Sequence, residues 1–541
     1  MQVPSYALGL AGADNAGGSS GYKGQGVTVA VIDGEFDVDH PDLAGAFRRD
    51  VRGNVIGRNV REGHDDVRPI EQRIATTRPN IRESGTVADK KHAETNREAN
   101  FSREILHGTH VAGIIGARDN QQGGVGIAPR ATIIPIVLFR DYFTPSEHRS
   151  WSRRDPASDS YNKSNERVAV SVAFARAQNA FVINGSWGRG RSPYEVTFHN
   201  SVRRYLLPNY IMHADYRHED IFHANARAEW ERAAQEGRAF VFAAGNDGWN
   251  SETGRIKIFD RPINFDSRGA NKEVSFRNTR GLRVNGRAIP ANIPAMESSY
   301  FLTSNILRGS WLAVVNVTKQ KIIARSSNGC GIAKDYCLAA PGTYVRSTFA
   351  DGEQYDVADE PQFISTNRKY GDIDEETGDG YGTYSGTSMA APMVSGALAV
   401  LKSKHPRMTA RQAVKAVLCT ATELRESGRT GVTKRTDDAA VSACAASNDT
   451  GNGLTYIDGW TPSEVYGHGL LNLARALRPI GPTRAAAAGA FGVAAAADTR
   501  VAFSSAFGNA APSQELDFGG LDMFGRVYRF RAPLQGRVMP G

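Results

Sequence analysis

Three short strings carry the side chains that could do chemistry in this 541-residue chain. Ser388 lies in Gly386-Thr387-Ser388-Met389-Ala390-Ala391-Pro392, His107 opens His107-Gly108-Thr109-His110-Val111-Ala112-Gly113, and Asp33 closes Val31-Ile32-Asp33. A serine hydroxyl is a poor nucleophile near neutral pH. It becomes a good one when an imidazole takes its proton and a carboxylate holds that imidazole in the reacting tautomer. The three strings supply one of each, in the order Asp, His, Ser. Gly386 and Ala390 are small enough to let backbone and substrate approach Ser388. A helix starting here would aim its first amides at developing negative charge, making the Ser388 N–H an oxyanion donor. Pro392 is read as falling early enough in that helix for its missing N–H to matter little.

His107 and His110 are three residues apart and share a helix face, which by itself suits metal binding. Zinc helices of this kind carry a glutamate between the histidines, whereas here Gly108 and Thr109 intervene. The glycine suits a close approach of strand, helix and substrate. His107 is therefore the candidate base and His110 a structural residue.

These residues need elements to bring them together. Val27 to Ile32 is an unbroken apolar and β-branched run, as expected of a parallel strand buried on both faces, with Asp33 at its carboxyl end. Similar runs recur at Ile133 to Leu138, Phe181 to Ile183, Ala239 to Phe242 and Trp311 to Val317. Helix-like stretches such as Val168 to Gln178 and Ala228 to Gln235 lie between several of them. This alternation predicts an α/β fold with a parallel sheet. Functional groups in such sheets collect beyond the strands' carboxyl ends, and Asp33, Ser186 and Asn246 each follow an apolar run. Polar segments near residues 61–104, 140–166, 188–226, 250–290 and 350–380 lack periodicity and read as inserted surface loops. After Pro482 the sequence turns alanine-rich and reads as a tail or linker.

Composition narrows the classes. Hydrophobic residues make up 40% and charged residues 23%, enough apolar material for a large core. The net charge of +8, from 65 basic and 57 acidic residues, is a mild excess without a patch of interleaved basic and aromatic residues, which excludes nucleic acid as the partner. Met1 to Pro4 opens no charged and apolar leader, so a signal peptide is not expected in the sequence as it stands. The run from Ala485 to Ala497 is shorter than the roughly 20 residues that span a bilayer. Cys330, Cys337, Cys419 and Cys444 permit three pairings. Cys330 with Cys337 and Cys419 with Cys444 close the shortest loops, as in a protein of an oxidising compartment. Their spacing does not suit zinc.

Taken together, the strings resemble the subtilase, or subtilisin-like serine protease, family over roughly residues 6 to 478. The resemblance implies a three-layer subtilisin-like fold, a mainly parallel central sheet with helices on both faces. It also implies an endopeptidase in which Asp33 orients, His107 is general base and acid, and Ser388 is the nucleophile. Ala243-Ala244-Gly245-Asn246 resembles the oxyanion segment, with the Asn246 amide donating alongside the Ser388 N–H. Asn184-Gly185-Ser186-Trp187-Gly188 resembles the strand that pairs with substrate backbone and walls the pocket before the scissile bond, with Ser186, Trp187 and Gly188 bordering substrate. Where the family usually has Ser or Thr and then Gly after the aspartate, this chain has Gly34 and Glu35, so a hydroxyl that helps hold the carboxylate is missing. Leu106 stands where glycine often precedes the histidine.

Asp42 and Asn120 match positions resembling a subtilase calcium loop, with Gln2 a weaker candidate, so structural calcium is an expectation while the chemistry needs no cofactor. Val501 to Gly508 and Leu521 to Phe530 look like the junction of autotransporter subtilases with an outer-membrane barrel. That implies a secreted or surface protein of a Gram-negative bacterium, reaching its place through the periplasm. The expected organisation is an N-terminal segment over 1–20, a peptidase domain over 21–478 and a tail over 479–541 leading toward a barrel that is not in this sequence. Protein or peptide substrates and a monomeric state are expected. The competing readings are an adhesive passenger that keeps the fold without catalysis, and an ester hydrolase using the same serine.

Overall fold

A computed structural model of the chain describes residues 21–68, 107–121, 123–139, 159–188, 191–198, 201–208, 224–246, 300–324, 326–349, 380–424, 462–480, 515–522 and 524–533, with short segments and single positions between them. Gln2, Leu106, Cys444, residues 501–508 and most of the segments 61–104, 140–166, 250–290 and 350–380 lie outside the described residues.

The central sheet is built from β1 (Thr28–Asp33), β2 (Arg58–Asn59), β3 (Thr132–Val137), β4 (Val182–Gly185), β7 (Ala239–Ala243), β12 (Trp311–Val317) and β13 (Cys337–Pro341). Its order is β13-β12-β7-β4-β1-β3-β2, and every neighbouring pair is parallel. Each expected apolar run is a strand of this sheet, with ends within two residues of those expected. The strands read as continuous apolar runs because helices cover both faces. Register shows which helix lies on which side. Asn184 pairs with Val241 and Gly185 with Phe242. Asn184 reaches toward α4 (Thr387–Lys404) through Ser395, while Phe240 and Phe242 pack edge-on against Trp230 of α3 (Ala224–Gln235). α1 (His107–Gly116) lies beside α4, and α2 (Asp159–Ala177) beside α3. α2 begins well before the expected Val168. Trp230, Phe240, Phe242 and Trp311 form an aromatic cluster, with Phe242 and Trp311 stacked at 4.8 Å.

Two sequence expectations change. Segments read as loops contain strands: β5 (Arg191–Phe198) and β6 (Ser201–Pro208) form a hairpin. They join β8 (Ile256–Asp260), β9 (Lys272–Phe276), β10 (Arg283–Val284) and β11 (Arg287–Ala288) in a second sheet of order β11-β10-β5-β6-β8-β9. The pairings that join the hairpins, β10 with β5 and β6 with β8, lie far apart in sequence, which a scan for local periodicity does not reveal. β14 (Val345–Phe349), β15 (Gly371–Ile373) and β16 (Gly380–Tyr384) make a small sheet whose β14 packs on α1, and β17 (Glu426–Ser427) pairs with β18 (Gly431–Val432).

The tail also folds. β19 (Arg484–Ala486), β20 (Val493–Ala495), β21 (Glu515–Leu521) and β22 (Val527–Pro533) form a sheet of order β20-β19-β21-β22. The turn between β21 and β22 carries a buried Asp522–Arg526 ion pair at 2.7 Å. Arg526 also donates to the carbonyls of Ala476 and Arg478, and Gln412 of α5 (Ala410–Cys419) donates to the Phe524 carbonyl. Among the described residues no helix is long and apolar enough to cross a membrane.

Candidate active site

Asp33 ends β1 and is fully buried. Its Oδ1 accepts a hydrogen bond from the Gly34 N–H at 2.7 Å and another from His107 Nδ1 at 2.6 Å. A carboxylate can only accept here, so the imidazole proton sits on Nδ1 and leaves Nε2 as the basic nitrogen. His107 is the first residue of α1 and half-buried, reaching solvent where Asp33 does not. Gly108 makes this approach possible: a Cβ there would lie 2.6 Å from the Glu35 carbonyl oxygen. Thr109 braces the same loop by accepting the Asp37 N–H at 3.0 Å. Asp33 Oδ2 is buried without a hydrogen-bond partner among the described residues, at the place where the missing hydroxyl was noted in the sequence.

Ser388 is the second residue of α4, half-buried, with Gly386 as the N-cap. Its hydroxyl donates to the Ser186 carbonyl at 2.9 Å. Asn246 follows β7 and is exposed. Its Oδ1 accepts from the Thr387 N–H at 2.9 Å and from the Thr387 hydroxyl at 3.0 Å, which turns the amide nitrogen outward as a donor. The Thr387 hydroxyl in turn accepts the Gly245 N–H at 3.1 Å. Gly245 has φ +99°, a left-handed conformation that glycine adopts without steric cost. Behind this turn Asn328 donates its N–H to the Gly245 carbonyl and its Nδ2 to the Ala244 carbonyl. Ala243 and Ala244 are buried and carry the segment rather than facing substrate.

Ser186, Trp187 and Gly188 leave the carboxyl end of β4, next to β1 and β7 in the sheet. Trp187 is half-buried; its Nε1 donates to the Ile32 carbonyl at 2.8 Å, and its ring packs edge-on against Phe139 and Phe242. Gly188 is exposed. Five predicted residues, Asp33, His107, Ser186, Asn246 and Ser388, therefore meet at adjoining strand ends and the first turns of α1 and α4. Sequence reasoning gave Asn328 no part, and gave Thr387 and Asn184 none beyond their places in the strings around Ser388 and Ser186. The signal for Thr387 was its place beside Ser388, whereas Asn328 and Asn184 act through partners remote in sequence.

His110 is fully buried, with Nε2 within 3.1 Å of the Val345 carbonyl and 3.2 Å of the Gly382 carbonyl. Burial pushes its pKa down to about 3, so it stays neutral and ties α1 to the β14–β16 sheet. Asp42 and Asn120 do come together. Asp42 Oδ1 accepts from Asn120 Nδ2 at 2.9 Å and Oδ2 from the Gly124 N–H at 3.0 Å. Calcium collects about six to eight oxygen ligands. In this arrangement Asp42 joins Asn120 and Gly124 to the segment that follows β1, and Gln2 lies outside the described residues. Among the described residues no group of three His, Cys, Asp or Glu side chains could hold a metal. Cys330 and Cys337 form a disulfide, and Cys419 is also disulfide-bonded.

Compared with known proteins, the chain matches the Subtilase family over residues 24–460, a span that takes in all three strings. The chain belongs to the subtilase family. Among curated subtilase relatives, an extracellular serine protease of Serratia marcescens is 27% identical over 60% of this chain and 26% of its own length. The Aeromonas extracellular serine protease of Aeromonas sobria is 25% identical over 72% of this chain and 47% of its own. Subtilisin E of Bacillus subtilis (strain 168) is 26% identical over 76% and 64%. This subtilase chain thus spans between about a quarter and just under two thirds of the length of these relatives. The solved serine protease of Aeromonas sobria aligns with a TM-score of 0.47 at 21% identity, covering 86% of this chain and 62% of that one.

Proposed function

We propose that the chain is a secreted serine endopeptidase. The observation that carries this reading is the 2.6 Å hydrogen bond between His107 Nδ1 and buried Asp33, set among the same strand ends and first helical turns as Ser388 and Asn246. In the proposed cycle the Ser388 hydroxyl turns from the Ser186 carbonyl to His107 Nε2 and gives up its proton as Oγ attacks the peptide carbonyl. Asp33 stabilises the imidazolium. Negative charge on the tetrahedral oxygen is met by the Asn246 amide and the Ser388 N–H, and loss of the Asn246 donor costs about 100- to 1000-fold in turnover. His107 then passes the proton to the leaving amine, and water repeats the sequence on the acyl-enzyme. Ser388, His107, substrate and water account for every proton and electron pair.

Ser186, Trp187 and Gly188 are proposed to border the substrate, with exposed Gly188 free to pair with extended peptide backbone. Secretion from a Gram-negative bacterium is supported by the extracellular serine proteases of Serratia marcescens and Aeromonas sobria among the relatives, and by the disulfide. We extend the reading to a passenger of an autotransporter, with the hairpin of β21 and β22 belonging to the passenger and a barrel following it.

The test is labelling by a serine-directed phosphonate together with hydrolysis of casein. The native chain is expected to be labelled at Ser388 and to cleave casein, and Ser388→Ala to do neither. Hydrolysis retained in Ser388→Ala overturns the assignment. A folded native chain that is neither labelled nor active favours an adhesive passenger.

A further inference from the structure

Residue 392 of α4 is a proline. In an uninterrupted α-helix the Ser388 carbonyl would accept the N–H of the residue four places on. Proline has no N–H, and its ring crowds that same carbonyl. The missing donor therefore matters, contrary to the sequence expectation, because it falls on the carbonyl of the candidate nucleophile. Ser186 supplies a replacement, its Oγ donating to the Ser388 carbonyl at 2.9 Å.

The replacement has its own support. Ser186 Oγ accepts from Asn184 Nδ2 at 3.0 Å, and Asn184 Oδ1 accepts from Ser395 Oγ at 2.7 Å. Ser186, Asn184 and Ser395 are all buried. Ser395 lies seven residues after Ser388, two turns along and on the same face of α4. The hydrogen bonds thus leave the helix at Ser395, cross to the end of β4 and return to the helix at Ser388. Every donor along the route points toward Ser388. The Ser388 hydroxyl donates back to the Ser186 carbonyl at 2.9 Å, so the two serines are joined reciprocally.

We propose that Ser395, Asn184 and Ser186 are positioning residues whose relay replaces the helical hydrogen bond lost at Pro392 and so holds the backbone of Ser388 in register with His107 and Asn246. This rests on the reading of Ser388 as the nucleophile. The relay explains how a proline is tolerated one turn beyond the reacting residue: the free carbonyl becomes an anchor to β4, the strand that leads into the substrate wall. An ordinary helical hydrogen bond would tie Ser388 only to its own helix.

The experiment is a double-mutant cycle with Ser186→Ala, Pro392→Ala and the double variant, read by Tm, by the rate of phosphonate labelling at Ser388, and by kcat and KM on a peptide. Ser186→Ala is expected to slow labelling and kcat by about 10- to 100-fold, with KM held within about twofold. Pro392→Ala alone should change little. In the Ser186→Ala background it should recover most of the lost rate and raise Tm, because residue 392 then has an N–H for the Ser388 carbonyl. Ser395→Ala should move kcat the same way by a smaller factor, about threefold. Simple additivity in both rate and Tm, or a double variant as slow as Ser186→Ala, overturns the relay. Should the native chain resist labelling, the serine protease reading falls while the Ser186–Pro392 coupling in Tm still decides the relay.

Discussion

Thr387 holds Asn246 by its carbonyl end, the backbone N–H at 2.9 Å and the hydroxyl at 3.0 Å both donating to Oδ1. An unrestrained side-chain amide would sample both orientations, and only one presents N–H groups to an oxyanion. The residue before the candidate nucleophile therefore orients the second oxyanion donor. Thr387→Val keeps the shape and the backbone bond while removing the hydroxyl, which donates to Asn246 and accepts the Gly245 N–H. It should lower kcat about fivefold, the worth of one hydrogen bond of ~1 kcal/mol, and leave KM nearly unchanged. The loss should disappear in an Asn246→Ala background, which steady-state kinetics on a peptide substrate would show.

Asp33 uses one oxygen for two donors, Gly34 N–H and His107 Nδ1, and leaves the other buried without a partner among the described residues. His107 Nδ1 is held by the same oxygen that takes the Gly34 N–H. Asp33→Asn preserves the volume but offers an amide that can stabilise the wrong imidazole tautomer. We expect kcat to fall by about 10⁴-fold near neutral pH, with Tm changed little. A Tm drop that accounts for the lost activity would instead make Asp33 a folding residue.

The reach of sequence reasoning follows the range of the interactions. Asp33, His107 and Ser388 were legible because each sits in a short contiguous string of recognisable residue types, even though what its glycines accommodate, the Glu35 carbonyl at Gly108 and Asn246 at Gly386, is remote in sequence. The parallel strands were legible because burial on both faces gives continuous apolar runs. The second sheet was not, since its β5–β6 hairpin shows no clear alternation and the pairing of β6 with β8 joins Leu206 to Phe259, remote in sequence. The relay through Asn184 and Ser395 escaped for the same reason. Pro392 was misjudged because its effect falls on a carbonyl whose new partner, Ser186, lies 202 residues earlier.

The tail hairpin behaves as part of the domain rather than as a flexible end. Asp522 and Arg526 have side chains 0% and 2% exposed, and Arg526 also satisfies the carbonyls of Ala476 and Arg478. Removing one member of such a pair leaves a buried charge uncompensated, at a cost of about 3–5 kcal/mol. Arg526→Ala should lower Tm by several degrees. Truncation after residue 514 should do the same without touching the candidate site, leaving kcat at low temperature close to native. An unchanged Tm in both variants would show that the hairpin is dispensable.

Three buried histidines make stability depend on pH. Burial lowers the pKa of His110 to about 3 and those of His405 and His468 to about 4. At His405 the cations Arg526 and Lys404 push further in the same direction, and Asp522 opposes them. In the unfolded chain these groups take up protons near the ordinary histidine value of about 6.5. Between about pH 6.5 and 4 the unfolded state thus binds more protons than the folded one, so stability rises with pH across that window. Tm should be level above about pH 7 and fall progressively as the solution is acidified to pH 4. His405→Leu removes one of the three contributions, including the repulsion that protonation would create beside Arg526 and Lys404. Its Tm should fall less steeply over the same window, and a slope equal to that of the native chain would mean that His405 does not stay neutral in the folded state.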